Sequence, residues 1–504
     1  MAAVALLGTQ VVPSVAMAAT KTSKAGSLVV GSVSGITSLD PIHIIGGPTS
    51  GGNEAGAVYG YLMRYDASGN RYVPYLAKSL TSNPTFTTWT LTLRAGMTFS
   101  DGTPFNAQAV VENLQRDLNP ANHAEFAIDL AFIKSMQATN ATTVVFTLNQ
   151  AWSGFPFLLA ETPGLIAAPS YIAQVTAGNA NATPIGAGPF VVDHFQPGTS
   201  LALAPNPRFV LAKPRLASLT FTFIPGGSST LQAFQAGQLN AAVLIDGPSV
   251  EQARADHIPA LTANFDAGTT LLMNNRPTSP LANPLLRKAI TLAFDPSAYN
   301  ERVDNGVPLA SNLLFPKGSL WYSPSEQKIP YNVDKARQLV AEVKKTTGWD
   351  GTLNFVGPST EQEVPIVMES MLKPIGINLN VTDNLSVTSF EIDVVVKKDF
   401  DLSVWGMAFP DGDPFFSFWD NFVSPTNYDG YSNPAMTAAV NALGAASTTA
   451  AKKAAITKII ASWVATAPVL DTGVSSYLTI HKPDVHGIEL STGGMALFDQ
   501  AWVS

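Results

Sequence analysis

The chain has 504 residues, 46% of them hydrophobic and only 13% charged, with a formal net charge of -8 and no cysteine. That length is too great for one hydrophobic core, so two or three domains are expected. The acidic balance, with no Lys/Arg cluster to reverse it, argues against nucleic acid as a partner. The missing thiols exclude disulfides, iron–sulfur clusters, thiolate zinc sites, a cysteine nucleophile and a lipid anchor on a cysteine.

Ala2 to Val15 is apolar, and Ala16-Met17-Ala18 has the small-x-small form of a cleavage site. Residues 1–18 therefore read as an export signal, with a frayed apolar terminus as the plain alternative. No other apolar run approaches the roughly 20 residues needed to cross a bilayer. The mature chain is expected in the periplasm or elsewhere outside the cytoplasmic membrane.

Ser27 to Val33 reads as a first strand, followed by a Gly/Ser/Thr-rich loop from Gly35 to Gly52. Its glycines lack the spacing of a phosphate-binding loop, but a loop after a strand can touch a ligand, and Ser38 is the candidate there. Trp89-Thr-Leu-Thr-Leu-Arg94 alternates with period 2 and puts Trp89, Leu91 and Leu93 on one face of a strand. Met97 to Phe99 is predicted as a short second strand. Asn106 is placed to cap a helix running to about Leu118.

Further on, Asn332 to Val343 has helical spacing, with Ala336, Leu339, Val340 and Val343 on the buried face and Gly348 just beyond. Thr352 to Val356 is a strand. Ser359 and Gln362 have capping-box spacing, which predicts a helix from there to about Lys373. Ile377 to Val381 returns as a strand, making a βαβ unit with a parallel sheet and a right-handed crossover. Leu402 to Phe409 is an apolar run without helical period, so it reads as a buried strand. Pro410-Asp-Gly-Asp-Pro414 must break it. The rings of Phe415, Phe416, Phe418, Trp419 and Phe422 follow. A last amphipathic helix is predicted over about Ala450–Ala465, then a strand over Ser475–Ile480.

Several of these stretches together resemble the extracytoplasmic solute-binding proteins of peptide and nickel ABC importers. The first is Pro74-Tyr-Leu-Ala-Lys-Ser79, followed by Trp89 to Ala107 with its Ser-Asp-Gly-Thr-Pro core at residues 100–104. The same order continues through Gly186-Ala-Gly-Pro-Phe190, Asn206-Pro-Arg-Phe209, Phe234 to Asn240, Asn275 with Asn283 to Asp295, and 399 to 419. The resemblance runs from about residue 28 to the end. It implies an α/β fold of the periplasmic-binding-protein type: two lobes with mixed sheets, a hinge between them, and an extra subdomain in the N-terminal lobe. The expected boundaries are 28–268 plus 470–504 for the first lobe, with the subdomain at about 55–185, and 269–469 for the second. It also implies a monomer that closes on a peptide or similar small solute and delivers it to the transmembrane permease subunits of an ABC importer, with no cofactor.

No Gly-x-Ser-x-Gly elbow, His-Glu-x-x-His helix or Walker lysine occurs, and the six histidines are scattered. A catalytic or metal site is therefore not expected. In an open α/β sheet, ligands bind outside the carboxyl ends of the strands, which directs attention to the segment after residue 404. Trp405, Met407 and Phe409 are the candidate ring-and-thioether platform, Trp405 first, with core packing the default for these rings; Asp411 and Asp413 are the candidate acids, with a turn pair satisfied by backbone amides as the plainer reading; Asn275 and Ser359 are the candidate polar contacts. For Asn275, packing at a hinge is the equal alternative. In the family that the chain resembles, an aspartate three residues before an Asp-Pro pair holds the amine of a bound peptide. Counting back from Asp413-Pro414 gives Pro410. Asp411 can serve only if the loop shifts, so a neutral or weakly cationic ligand that stacks on rings stays open beside a peptide. Two rivals also stay open: a secreted hydrolase using the same cleft, and a protein that kept the fold without transport.

Overall fold

The computed structural model describes residues 26–504 apart from 33–34, 125, 180, 305, 307–312, 324–328 and 360. The stretch 1–18 read as an export signal lies outside the described residues.

Ten strands form the main sheet. In chain order they are β1 (Ser27–Ser32), β2 (Phe190–Gln196), β3 (Ser200–Pro205), β4 (Ser218–Phe223), β5 (Ala241–Leu244), β6 (Ala260–Met273), β7 (Thr352–Pro358), β8 (Asn378–Leu385), β9 (Leu402–Gly406) and β10 (Val469–His481). Across the sheet the order is β8-β7-β9-β6-β10-β5-β1-β4-β3-β2. The predicted βαβ unit is present: β7 and β8 pair in parallel, with the helix Glu363–Leu372 between them. Other neighbours, including β6–β9 and β5–β10, are antiparallel, so the sheet is mixed.

The two long central strands join the halves of this sheet. β6 and β10 pair from Ala260–Ile480 to Leu272–Val469. The β9 side of the sheet pairs with β6 only at 269–273, and the β5 side pairs with β10 only at 478–481. Between those stretches the β6–β10 register shifts, at Phe265/Thr269 and again at Thr269/Thr270. A shift of that kind is a local bend in an otherwise continuous ladder.

A separate four-stranded antiparallel sheet, Ala77–Ser82, Thr88–Leu93, Thr143–Leu148 and Ile133–Asn140 in spatial order, lies in the chain between β1 and β2. Its period-2 reading is correct: Trp89, Leu91 and Leu93 are buried and the residues between them are not. The cap on the next helix is also as expected, with the Asn106 side chain accepting from the Ala109 amide at 2.9 Å. The same holds for Val333–Thr347. Asn332 caps it, the four predicted apolar residues face inward, and Gly348 ends it at φ 75°.

Two local expectations fail. Met97–Phe99 forms only an isolated bridge, Thr98 to Pro104, because Ser100–Pro104 turns back too soon to build a ladder. Ser359 caps nothing; its amide bonds the Leu385 carbonyl beside β8, and the helix starts later, at Glu363. The aromatic run after Pro414 is a helix, Phe415–Phe422, in which helical spacing buries Phe415, Phe416, Phe418 and Phe422.

Candidate functional site

Strand β9 lies between β7 and β6, with Leu402, Ser403 and Val404 buried, and the Ser403 hydroxyl donates to the Val356 carbonyl at 2.9 Å. The chain leaves the sheet at Gly406 and turns at Pro410–Asp413, where the Asp413 amide donates to the Pro410 carbonyl at 3.1 Å. This turn faces residues from the small-sheet region, more than 250 positions earlier in the chain. Gly412 lies against the rings of Tyr65 and Tyr72. Asp413 receives the indole N–H of Trp152 at 2.7 Å. Phe132 packs edge-on to Phe415, Phe416 and Trp419, with ring centroids 5.8, 5.8 and 4.4 Å away. A seam thus forms between the small-sheet region and the β9 side of the main sheet. One hydrophobic cluster runs through it unbroken, from Phe146 by way of Trp152 and Phe155 to Phe415 and Phe418.

The two aspartates have different surroundings. Asp411 accepts from the Ser319 hydroxyl at 2.6 Å and from the Leu320 amide at 3.1 Å, while its carbonyl accepts from the Trp321 indole at 3.2 Å. Burial raises its pKa, and those donors oppose the rise. Asp413 is 2% exposed. Its pKa is also raised by burial, with Lys452 and the Trp152 N–H acting the other way. Nearby, burial lifts Glu161 to about 7 and Tyr65 to about 12.

The remaining candidates divide. Trp405 is half-buried between Phe390 and Tyr428, 4.8 Å from the latter ring. Met407 and Phe409 do not line a wall; the structure puts both in the core. Phe409 is fully buried, stacked on Phe418 at 4.2 Å, because β9 ends three residues before it and the chain turns inward. Asn275 donates from its amide to the Met273 and Pro468 carbonyls and to Asp429, which ties the end of β6 to the start of β10. Ser359 is exposed at the end of β7. Ser38 lines a different cavity, of about 1360 Å³, along with Asp40, Arg116, Tyr171 and His194, and no residue of 405–419 contributes to it. The structure therefore gathers Asp411 and Asp413 at the seam and leaves Ser38 and Ser359 elsewhere.

Sequence reasoning missed the opposite wall: Tyr65, Tyr72, Phe132, Trp152 and Gly154. Trp152-Ser-Gly154, a bulky ring and a glycine two residues apart, begins four residues past the strand Thr143–Leu148, but nothing in it says which residues it meets.

The family description "Bacterial extracellular solute-binding proteins, family 5 Middle" fits residues 71–430, more than two thirds of the chain. The probable di/tripeptide-binding protein 5 of Pseudomonas aeruginosa (strain UCBPP-PA14) is 27% identical over 394 residues, 72% of this chain and 72% of that protein. The glutathione-binding protein GsiB of Escherichia coli (strain K12) is 27% identical over 323 residues, which span 61% of this chain and 60% of that one. Among solved structures, AgaA from A. tumefaciens R10 in complex with agropinic acid superposes with a TM-score of 0.77 at 21% identity, covering 95% of this chain and 99% of that one. That last likeness concerns the fold alone: an α/β fold of two lobes with mixed sheets. Among the described residues, no helix is long and apolar enough to cross a membrane.

Proposed function

The chain belongs to family 5 of the bacterial extracellular solute-binding proteins, and from that premise we propose that it is the receptor of an ABC importer. It binds a peptide or similar small organic solute between its lobes and hands it to the permease subunits in the membrane. The observation that carries this reading is the β6–β10 crossing. Two strands with a shifted register are the whole main-sheet connection between the halves, as hinge closure requires. We place the lobe boundary there, at 265–269 and 473–475, within a few residues of the boundary read from sequence. Ligand contact with both lobes then favours the closed state by its differential affinity, and no bond is made or broken.

The ligand class follows from the acids. The two carboxylates of the 410–413 turn are already engaged, Asp411 by Ser319 and Leu320, Asp413 by Trp152. Each already has protein donors to satisfy it without an ammonium group, and Pro410 occupies the position that the family resemblance assigns to the amine-binding aspartate. On this reading recognition does not depend on a free α-amine, and the half-buried Trp405 is the ring we assign to stacking. That relatives include di/tripeptide- and glutathione-binding proteins supports a solute of that size.

Native mass spectrometry of the protein as purified, followed by calorimetry with free and N-blocked di- and tripeptides, tests this reading. A carried small solute, or binding of blocked and free peptides with similar affinity, is the expected result. No carried solute together with no binding across the panel, or hydrolysis of any member, overturns it.

A further inference from the structure

The cavity of about 1360 Å³ that Ser38 lines plays no part in the seam. Two of its walls are the helices Ala107–Asp117 and Pro169–Thr176, which belong to the long insertion between β1 and β2. The others are the turn Pro41–His43, a few residues past β1, and strand β2 itself. It therefore lies where the insertion meets the main sheet, the kind of junction at which small-molecule sites concentrate. Its floor is tied. The Arg116 guanidinium donates to both carboxylate oxygens of Asp40 at 2.6 Å, and the two side chains are 14% and 8% exposed. That bidentate pair joins one wall to another, so the hollow between them is set by the fold.

Three of the chain's six histidines, His43, His123 and His194, line this one cavity. All three are exposed, as is Gln115 beside them, and among the described residues no hydrogen bond, ion pair or ring contact engages these four side chains. Among the described residues no three His, Asp or Glu side chains converge closely enough to hold a metal ion, so the imidazoles are not a metal site. A neutral imidazole and an amide each present both a donor and an acceptor. Net charge does not dominate the lining. Asp40 already answers Arg116, no lysine lines the cavity among the described residues, and the remaining acids, Glu112 and Asp193, are exposed. An anion would meet those acids and find the guanidinium taken, and a cation would find no buried carboxylate unpaired. Between the polar groups lie the half-buried Ile172, Val175 and Phe195. A sugar complements such a lining, since each hydroxyl both donates and accepts while the C–H faces of the ring are apolar.

We propose that this cavity is a second ligand site, separate from the one between the lobes, and that it takes a short neutral oligosaccharide. Its volume exceeds the roughly 300–1,000 Å³ of a site for one small molecule, which leaves room for more than one sugar ring. His43, Gln115 and His194 hydrogen-bond the hydroxyls, and Ile172 and Phe195 lie under the ring faces. No residue of 405–419 lines the cavity, so sugar and solute do not compete for a side chain.

Calorimetry of the full chain with cellotriose, maltotriose and the trisaccharide of N-acetylglucosamine tests this. Wild type should bind at least one of them saturably. The double variant His43→Ala/Gln115→Ala should weaken that binding by about tenfold or more, through the loss of two hydrogen-bonding groups. Both side chains are exposed and unbonded, so the fold should survive, as an unchanged melting temperature would verify. Trp405→Ala, which alters only the ring assigned to the inter-lobe solute, should change sugar affinity by less than about twofold. Failure of wild type to bind any of the three sugars overturns the proposal and leaves the receptor reading standing. Binding lost in Trp405→Ala but kept in the double variant also overturns it, because the sugar would then be the solute held between the lobes.

Discussion

The two bodies of this protein meet in two places built from opposite materials. At the β6–β10 crossing the connection is backbone: a paired ladder running from Ala260–Ile480 to Leu272–Val469, bent where its register shifts. At the seam the connection is almost all side chain: an indole on a carboxylate, interleaved rings, and glycines that leave room for a facing atom. A ladder bends without breaking, since each strand keeps its partner while φ and ψ adjust. A side-chain contact either forms or parts. On the proposed reading, the first junction is the pivot and the second is the mouth.

The largest predicted effect separates the seam from the interior behind it. Phe409 packs on Phe315, Phe418, Phe422 and Trp463, all in the second lobe. Phe409→Ala should cost about 3–5 kcal/mol in denaturant unfolding, while leaving the unliganded radius of gyration unchanged. A loss below about 1 kcal/mol would show that the ring borders open space, as its candidacy for the platform allowed beside core packing, and would blur the line between mouth and core.

That expectation about Phe409 shows where sequence reasoning reached its limit. Elements set by local chemistry were legible: the period-2 strand at Trp89–Leu93, the Asn106 and Asn332 caps, and the βαβ unit around Glu363–Leu372. Each depends on residues within a few positions of one another. The segment after residue 404 was legible as important, but not in its detail. Whether Phe409 points into the core or the cleft depends on where β9 ends, and that is fixed by Phe418 and Phe422 on a helix whose aromatic composition disguised its period. Ser359 had the spacing of a cap, but tertiary pairing with Leu385 outweighed it. The wall carrying Tyr65, Trp152 and Gly154 was illegible because its partners lie hundreds of residues away, and nothing local to a tryptophan reports which carboxylate it will meet.

A middle-sized effect concerns the seam's acids. Asp129, Glu161, Asp413 and Asp420 all have pKa values raised chiefly by burial. Glu161, 7% exposed, rises from 4.5 to about 7. Its folded-state value lies above its unfolded one, so the folded protein keeps a proton that the unfolded chain releases between those pH values. The stability it contributes is complete below about pH 4.5 and declines as pH climbs to about 7. For one such carboxyl that is roughly 1–3 kcal/mol. The melting temperature should therefore fall from pH 5 to pH 8. Glu161→Gln, which removes the titration and keeps an acceptor, should flatten that fall. An unaltered slope in the variant would mean that Glu161 is ionised in the folded protein, and that the seam side tolerates charge as readily as the crossing does.

The smallest effect is the sharpest test of which groups at the mouth face the solute. Asp411 and Asp413 stand two residues apart, and only Asp413 has its carboxylate bonded across the seam; Asp411 is held by Ser319 and Leu320 of its own lobe. Asp411→Asn keeps an oxygen for both of those donors and removes the charge. If the Asp411 carboxylate is a brace for the turn, affinity for amine-bearing and N-blocked ligands should change by the same factor. Calorimetry would find less than about threefold difference between them, under about 0.7 kcal/mol. If it holds an ammonium group, the amine-bearing ligand alone should weaken by tenfold or more, because a buried charge pair loses one partner while the blocked ligand loses nothing. That second outcome would mean the Ser319 and Leu320 bonds yield when solute enters, so the turn at 410–413 moves on binding. The brace reading predicts instead a turn already set before the solute arrives, with closure adding contacts around it rather than rebuilding it.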